Sequence, residues 1–246
     1  MPKTCLILGS GSDIGQAIAY AFAGHGYGLV LAARQVDGYQ QRLAADLGIR
    51  HGVPVQGVAF DGEDCAGHAA FVAGLMPLPD VVVLVFGYLG EHARATTDGA
   101  EAGRILATNY VGPVSLLNLL AERLKQRGTG GLIVGVSSVA GERGRQSNYL
   151  YGSAKAGFTA YLSGLRNALF ASGIHVLTVK PGFVLTKMLA GQATPAALTA
   201  QPADVARAVW RACQRRQNVV YVPGIWRVIM RVIKLLPENL FKRLRL

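Results

Sequence analysis

The sequence has few cysteines and little charge for its length. Its 246 residues include three cysteines, Cys5, Cys65 and Cys213, whose wide spacing forms no CxxC pair and no zinc-ligand set. Such a set excludes a disulfide scaffold and indicates a reducing compartment, and we expect no metal site. Charged residues make up 16% of the chain and hydrophobic residues 51%, which excludes an intrinsically disordered protein.

Long apolar runs are also missing. The run Val81–Phe86 is far shorter than the ~20 residues that a membrane-spanning helix needs. The N-terminal run Cys5–Leu8 is too short for the apolar region of a secretory signal. We therefore expect a cytoplasmic protein, with a peripheral position at the inner face of the membrane as an open alternative.

Basic residues are abundant and unevenly placed. The chain has 25 Lys+Arg against 14 Asp+Glu, a net charge of +11, which favours anionic partners. Within Ile225–Leu236, a helical period puts Arg227, Arg231 and Lys234 on one stripe, and this predicts a basic amphipathic helix. Two interpretations stay open: the helix contacts a membrane or lipid, or it packs over the substrate pocket or a partner subunit.

Strand-like and helix-like patterns alternate along the chain. This alternation predicts an α/β fold with a doubly wound parallel sheet, a Rossmann fold, in one domain over 1–222 and a C-terminal amphipathic basic appendage over 223–246. The predicted strands are Thr4–Leu8, Gly28–Ala33, Val53–Phe60, Val81–Phe86, Gly131–Val136 and His175–Val179. The predicted helices are Ile14–Ala23, Gln40–Leu47, Ala66–Leu75, Ala100–Leu124 with a bend at Gly112-Pro113, and Tyr151–Phe170.

A glycine-rich turn links the first predicted strand to the first helix. Glycines let backbone N–H groups approach a pyrophosphate, which then faces the positive end of the helix. Asp13 stands where the spacing G-x-x-x-G-x-G has its middle glycine; it either caps the helix or puts negative charge near the phosphate. The residues predicted to contact a dinucleotide here are Gly9, Ser10, Gly11, Ser12, Asp13, Ile14 and Gly15.

Two residues at strand ends bear on which dinucleotide binds. Asp61 ends the third strand, where its carboxylate accepts a hydrogen bond from adenine or else forms a turn before Gly62. Arg34 follows the second strand, at the place of the acidic residue that would hold a ribose 2′-hydroxyl. An arginine there favours a 2′-phosphate and hence NADPH, with a solvated arginine as the alternative.

The strongest chemical signal is Ser138 followed by Tyr151-x-x-x-Lys155. Tyr151 and Lys155 are four residues apart on a predicted helix, so their side chains share a face. An ammonium beside a phenol favours the phenolate, and we therefore predict that Lys155 lowers the pKa of Tyr151. Ser138 follows a strand and offers a hydroxyl to the same substrate oxygen. The set predicts proton donation to a carbonyl.

From about Lys3 to Thr186 the sequence resembles the short-chain dehydrogenase/reductase family. The matching positions are the glycine turn, Asp61, Asn109, Ser138, Tyr151, Lys155 and Pro181-Gly182-x-x-x-Thr186. The resemblance implies a ketoreductase in which Ser138 orients the carbonyl and Tyr151 donates the proton. It also implies that Lys155 holds the nicotinamide ribose and that Asn109 supports a water-linked proton relay. The residues implied at the nicotinamide end are Gly87, Pro181, Gly182, Val184 and Thr186.

The sequence departs from the family pattern at one strand end and is similar to one group of the family at three segments. Where the family has Asn-Asn-Ala-Gly, this chain has Leu84-Val85-Phe86-Gly87, which questions how the central strands are supported. The segments Ser137–Arg143, Phe86–Gly90 and Leu236–Arg243 are similar to the decaprenylphosphoryl-2-keto-ribose reductase group. That similarity implies a keto sugar on a polyprenyl phosphate and NADH, so NADH and NADPH both stay open.

The alternatives to a lipid-linked substrate are a soluble carbonyl, such as a 3-oxoacyl thioester, and a sensor that binds the dinucleotide without catalysis. The family resemblance implies a homodimer or homotetramer. We expect no nucleic-acid partner, because the basic tail has only Trp226 and Phe241 as stacking residues. Gly191, Thr194 and Pro195 predict a mobile lid within the segment 182–200.

Overall fold

The computed structural model describes residues 2–189, 191 and 194–244. Seven parallel strands form the main sheet, in the order β3-β2-β1-β4-β5-β6-β9. These strands are β1 (Thr4–Leu8), β2 (Gly28–Ala33), β3 (Val55–Ala59), β4 (Val81–Leu84), β5 (Gly131–Val136), β6 (Ile174–Pro181) and β9 (Val219–Val222). A two-stranded parallel ladder pairs β7 (Phe183–Val184) with β8 (Thr199–Ala200). The predicted α/β fold with a parallel sheet is confirmed.

Helices connect the strands and cover the sheet. They are α1 (Asp13–Ala23), α2 (Gly38–His51), α3 (His68–Ala73), α4 (His92–Ala95), α5 (Gly99–Leu106), α6 (Gly112–Arg127), α7 (Tyr149–Leu169), α8 (Pro202–Gln214), α9 (Trp226–Leu235) and α10 (Glu238–Phe241). No helix in the part of the chain that the structure describes is long and apolar enough to cross a membrane.

The hydrophobic core has one layer on each face of the sheet. All four residues of β4 are buried, as expected of a central strand covered on both faces. One layer includes Ile18 and Phe22 of α1 with Val209 of α8. The other includes Leu120 of α6 and Phe158 of α7. Because both faces are packed, the open surfaces of the sheet lie at the strand ends.

The structure departs from the predicted elements in a few places. Strand β3 and helix α3 are shorter at both ends than predicted. The predicted helix over 100–124 is two helices, α5 and α6, joined by a π-helical turn at Ala107–Val111. The predicted bend at Gly112-Pro113 is therefore the start of α6, directly after the irregular turn. The structure also has elements that were not predicted, namely strands β7, β8 and β9 and helices α4, α8 and α10.

The strand order reverses between β1 and β4. The chain runs outward through β2 and β3 on one side and through β5 and β6 on the other. At such a switch point, the loops leaving the carboxyl ends of β1 and β4 separate and leave a crevice, the usual ligand site of open α/β sheets. The glycine turn and the Tyr-Lys helix both border this crevice.

Candidate active site

The larger part of the crevice is a cleft of about 730 Å³ at the ends of β1 to β4, which we call the cofactor cleft. Gly9 enters it with a φ of +99°, and a Cβ there would lie 2.7 Å from the backbone N of Phe86. Only glycine fits this turn without strain. The Ser12 side chain accepts a hydrogen bond from Gly15 N at 3.0 Å and caps α1. The residues present fit a dinucleotide phosphate at the start of this helix.

Some residues of the glycine turn line the cofactor cleft, and others are buried beneath it. Gly9, Gly11 and Ser12 line the cofactor cleft. Ser10 is buried beneath it, and its hydroxyl lies 3.2 Å from both Ala32 O and Gln40 Oε1. Gly15 is also buried, because its Cα faces the carbonyl of Gly9. The Ser10 side chain and Gly15 therefore support the turn from below, and their predicted contact with a dinucleotide stays a prediction.

Ser12 rather than Asp13 caps the helix, and the Asp13 carboxylate has a partner of its own. Its carboxylate accepts a hydrogen bond from the backbone N of Lys187 at 2.8 Å. Lys187 belongs to the segment that follows β7, so Asp13 ties the glycine turn to the far wall of the crevice. This contact joins residues 174 positions apart and explains an acidic residue in place of a glycine.

Arg34 and Asp61 lie at the outer end of the cofactor cleft, where both are exposed and line it. Arg34 makes no hydrogen bond or ion pair with the residues that the structure describes. Asp61 accepts a hydrogen bond from Glu63 N at 3.0 Å, which makes the turn that one interpretation predicted. Its second carboxylate oxygen has no such partner among the described residues.

Phe86 and its neighbour support the end of β4, where the family that the sequence resembles has asparagines. The backbone N atoms of Val85 and Phe86 lie 2.9 and 3.2 Å from Leu8 O, which holds the end of β4 against β1. The Phe86 ring packs 5.9 Å from the ring of Phe60, centroid to centroid. Aromatic packing and backbone hydrogen bonds therefore support this strand end.

The catalytic candidates meet in a smaller pocket of about 150 Å³, which we call the substrate pocket. Ser138, Tyr151 and Lys155 all line it, and it shares Phe86 and Gly87 with the cofactor cleft. Ser138 Oγ accepts a hydrogen bond from Ala140 N at 3.1 Å, which fixes the start of a short 3₁₀ turn. Tyr151 and Lys155 project from α7, as their spacing predicted.

Burial sets the protonation of this pair. Lys155 is 3% exposed, and its Nζ donates to Val136 O at 3.3 Å and lies 5.7 Å from the Tyr151 ring centroid. Burial lowers the pKa of Lys155 to about 8. Burial also raises the pKa of Tyr151 to about 12, although a hydrogen bond with Ser138 offsets part of that rise. The predicted lowering of the Tyr151 pKa is therefore wrong for the protein alone, because desolvation of the phenolate dominates.

Asn109 occupies the π-helical turn and is completely buried. Its Nδ2 donates to Tyr88 O at 2.6 Å and to Ile105 O at 2.8 Å, while its Oδ1 accepts from Tyr88 N at 3.3 Å. A Cβ at Gly87 would lie 2.9 Å from Asn109 Oδ1 and 3.4 Å from Lys155 Nζ. Asn109 thus holds the loop after β4 against the lysine, and its side chain is engaged with backbone groups.

The opposite wall of the substrate pocket comes from the chain after β6. The predicted residues Pro181, Gly182, Val184 and Thr186 line it, together with Trp226 of α9. A Cβ at Gly182 would collide with the indole of Trp226, whose Nε1 donates to Leu198 O at 3.0 Å. Trp226 is 5% exposed. The tail helix therefore forms part of this pocket, in agreement with one of the two interpretations that the sequence left open.

Two residues after the 3₁₀ turn hold the tail helix in place. Glu142, whose side chain is 4% exposed, accepts hydrogen bonds from Lys180, from Tyr221 OH at 2.7 Å and from Lys234 Nζ at 2.9 Å. Although burial opposes it, these hydrogen bonds lower the pKa of Glu142 to about 2. Arg143 donates to the carbonyl oxygens of Ile233 and Leu236, at the end of α9. We call Glu142 and Arg143 the tail clamp.

Sequence reasoning missed several residues that line the substrate pocket. They are Arg145, Asn148, Met188, Leu189 and Trp226. Arg145 and Asn148 lie between Ser138 and Tyr151, so their place next to the two catalytic candidates could have drawn attention to them. Trp226 carried no such signal, because 71 positions separate it from Lys155 and only the tertiary fold brings them to one pocket.

Comparison with known proteins places this geometry in a family. The family model for short chain dehydrogenases matches residues 3–196. The chain belongs to the short-chain dehydrogenase/reductase family. It is similar to an oxidoreductase of Mycobacterium tuberculosis (42% identity over 97% of this chain and 96% of the relative) and to one of Streptomyces coelicolor (37% over 99% and 96%). Both relatives carry the description "uncharacterized".

Among solved structures, a short-chain dehydrogenase from Sphingobium yanoikuyae in complex with NADPH superposes with a TM-score of 0.81. The two are 26% identical, and the match covers 100% of this chain and 97% of the other. As a short-chain dehydrogenase/reductase, the protein is an NAD(P)-dependent oxidoreductase.

Proposed function

We propose that this short-chain dehydrogenase/reductase reduces a ketone to an alcohol, with Tyr151 as the proton donor. The observation that carries the proposal is the meeting of Ser138, Tyr151 and Lys155 in one pocket that opens into a dinucleotide-sized cleft. When bound, the reduced nicotinamide supplies the hydride. The protein then has to hold the carbonyl, donate one proton and stabilise the oxygen that gains charge.

The three side chains divide this work. Ser138 and the Tyr151 hydroxyl offer hydrogen bonds to the carbonyl oxygen. With a pKa of about 12, Tyr151 keeps its proton at neutral pH until the oxygen becomes basic enough to take it. Lys155 is protonated below about pH 8, and its cation stabilises the phenolate left behind. Asn109 keeps Gly87 close to Lys155, so that the lysine faces the crevice.

The test compares two tyrosines of the same helix. Tyr151→Phe removes the proton donor, and Tyr149→Phe alters an exposed tyrosine at the start of α7. We expect Tyr151→Phe to lower kcat by at least about 10²-fold on a panel of aliphatic ketones, keto sugars and 3-oxoacyl thioesters. Tyr149→Phe should retain the wild-type kcat. Undiminished turnover by Tyr151→Phe would overturn the mechanism, and cofactor binding without turnover on any ketone would favour a sensor.

We infer that NADPH is the preferred cofactor. Arg34 is exposed at the outer end of the cofactor cleft and has no partner among the described residues. An arginine in this position suits the 2′-phosphate that distinguishes NADPH from NADH. The Sphingobium yanoikuyae structure, which is in complex with NADPH, supports the same choice. The contrary expectation of NADH comes from the reductase group that the sequence resembles.

We infer further that the outer face of α9 contacts a lipid surface, which would suit a lipid-linked keto sugar. Trp226 and Met230 of this helix are buried, whereas Val228, Val232 and Leu235 are 60%, 55% and 82% exposed. The exposed residues Arg227 and Arg231 add positive charge. An apolar stripe beside arginines suits an anionic membrane surface. Lys234, which was predicted to share the basic stripe with Arg227 and Arg231, forms an ion pair with Glu142 instead.

Liposome sedimentation tests the lipid contact. Val228→Asp with Val232→Asp changes the outer face while leaving Trp226 and the tail clamp intact. We expect wild-type protein to sediment with phosphatidylglycerol vesicles and the double variant to stay in solution. Ile49→Asp, at a residue 87% exposed on α2, adds one acid to another surface and should still sediment. Equal sedimentation of all three proteins would overturn the contact. The homodimer or homotetramer stays a prediction that light scattering can test.

A further inference from the structure

Arg145 lines the substrate pocket without an ionic partner. It lies in the loop between the 3₁₀ turn that ends at Gly141 and helix α7. Its Nε is buried and has no hydrogen-bond acceptor among the residues that the structure describes. The Oδ1 of Asn148, in the same pocket, is likewise buried without a donor. The wall of the pocket therefore carries one unsatisfied donor and one unsatisfied acceptor among the described residues.

Arg145 is half-buried as a residue, but its buried Nε lacks an acceptor, and an unsatisfied buried donor is costly. Burial lowers the pKa of Arg145, and yet arginine keeps its charge because its ordinary pKa is so high. The nearby carboxylate of Glu142 is already engaged by Lys180, Tyr221 and Lys234. Buried donors in proteins normally have partners, so a free donor on the wall of a ligand pocket suits a ligand that supplies the acceptor.

The cofactor does not account for this charge. Its phosphates would lie at the start of α1, in the cofactor cleft, whose lining does not include Arg145. Arg145 lines only the substrate pocket, together with Ser138 and Tyr151. The substrate therefore has to supply the anion. Because Arg145 and Tyr151 line the same pocket, the anion and the reacting carbonyl would belong to one substrate molecule.

We propose that Arg145 binds an oxyanion of the substrate, a phosphate or a carboxylate, while the Asn148 amide binds a neighbouring hydroxyl. The inference rests on the proposed ketoreductase function and narrows its substrate class to anionic, hydroxylated ketones. Arginine suits this role because its planar fork matches the oxygens of both anions. Arg145 thus acts as a specificity-determining residue, and it takes no part in the proton transfer.

Matched pairs of probes test the inference by binding. Calorimetry on NADP⁺-saturated protein, in which the dinucleotide occupies the cofactor cleft, compares D-ribulose 5-phosphate with D-ribulose, and acetoacetate with methyl acetoacetate. We expect the charged member of at least one pair to bind at least 10-fold more tightly than the neutral member. Arg145→Gln should weaken the charged probe by about 10- to 100-fold and change the neutral probe less than about 3-fold. Arg145→Lys should retain part of the preference.

A matched control separates local from bulk charge. Arg211→Gln removes the same charge from the exposed face of α8 and should leave every affinity unchanged. A farnesyl phosphodiester of ribulose, compared with ribulose 5-phosphate, distinguishes a lipid-linked from a free phosphate, and Arg145-dependent binding of either supports the inference. Equal affinity for charged and neutral probes, or an unchanged affinity in Arg145→Gln, would overturn it.

The same probes keep the two proposals apart. If wild-type protein reduces neutral ketones and shows no preference for anions, the ketoreductase function stands and the role of Arg145 is wrong. If charged probes bind through Arg145 and no ketone is reduced by NADPH or NADH, the anion site stands and the reductase function fails.

Discussion

The cofactor cleft takes most of its walls from four strand ends near one another in sequence, whereas the substrate pocket is assembled from more distant segments. The glycine turn, Arg34, Asp61 and Phe86 all come from the first 90 residues. In contrast, Arg143 reaches the carbonyl of Ile233 across 90 positions. Segments close in sequence therefore build most of the cofactor cleft, whereas contacts between distant segments complete the substrate pocket.

Glu142→Gln should cause the largest loss of stability, at the substrate pocket. Removing the buried carboxylate leaves Lys180 and Lys234 without their anion, and breaking a buried ion pair costs about 3–5 kcal/mol in the free energy of unfolding. Glu238→Gln, which removes the exposed partner of Arg143, should cost less than about 1 kcal/mol. Urea unfolding at pH 7 measures both, and equal losses would contradict the proposed role of the tail clamp.

The same residue predicts an acid dependence. The ordinary pKa of 4.5 for Glu142 falls to about 2 in the folded protein, so its contribution to stability is present above pH 4.5 and is lost as the pH falls toward 2. We expect wild-type protein to lose more stability over this range than Glu142→Gln. Parallel stability curves for the two proteins would show that the carboxylate is not held as described.

Gly9→Ala should damage the cofactor cleft. Alanine would have to adopt the left-handed backbone conformation of Gly9, and its methyl carbon would lie 2.7 Å from Phe86 N. We therefore expect a loss of about 2–4 kcal/mol in the free energy of unfolding. Gly11→Ala is the matched control, because its Cβ would meet only the Gln40 side chain, at 3.4 Å. Thermal or urea unfolding compares them, and similar stabilities would contradict the strained turn.

Lys155→Met should stabilise the protein while it abolishes turnover. Burial lowers the Lys155 pKa from 10.5 to about 8, so the unfolded chain binds its proton more tightly than the folded protein does. The free-energy cost of burying the Lys155 cation is fully present below pH 8. It disappears as the pH rises to 10.5, so the free energy of unfolding increases over this range. We expect a gain of about 1–3 kcal/mol at pH 7. Lys125→Met, at an exposed residue of α6, should change stability by less than about 0.5 kcal/mol, and a loss in Lys155→Met would contradict this account.

Arg34→Ala should have the smallest effect and should act only at the outer end of the cofactor cleft. If Arg34 holds the 2′-phosphate, the variant should bind NADPH about 10-fold more weakly and NADH as before. Arg42→Ala, at another exposed arginine outside the cleft lining, is the control for general charge. Nucleotide fluorescence titrations measure both. An unchanged ratio of the two affinities would favour NADH as the natural cofactor.

Sequence patterns predicted the sheet and most of its helices, because strand and helix periods are local properties. The same locality placed Tyr151 and Lys155 on one helix face and the glycine turn before α1. Strand β9 was missed because its four residues, three of them exposed or partly exposed, carry too weak a pattern. The burial of Ser10 could not be predicted either, since it depends on Gln40 from α2.

From the sequence alone came most of the strands and helices, the glycine turn and the Ser-Tyr-Lys set, because each depends on residues close along the chain. The tertiary structure alone decided the protonation of Tyr151 and Lys155, which burial controls. It also decided that Trp226 closes the substrate pocket and that Arg145 remains without a partner there. Desolvation and unsatisfied charge depend on which atoms surround a group, and only the folded chain brings those atoms together.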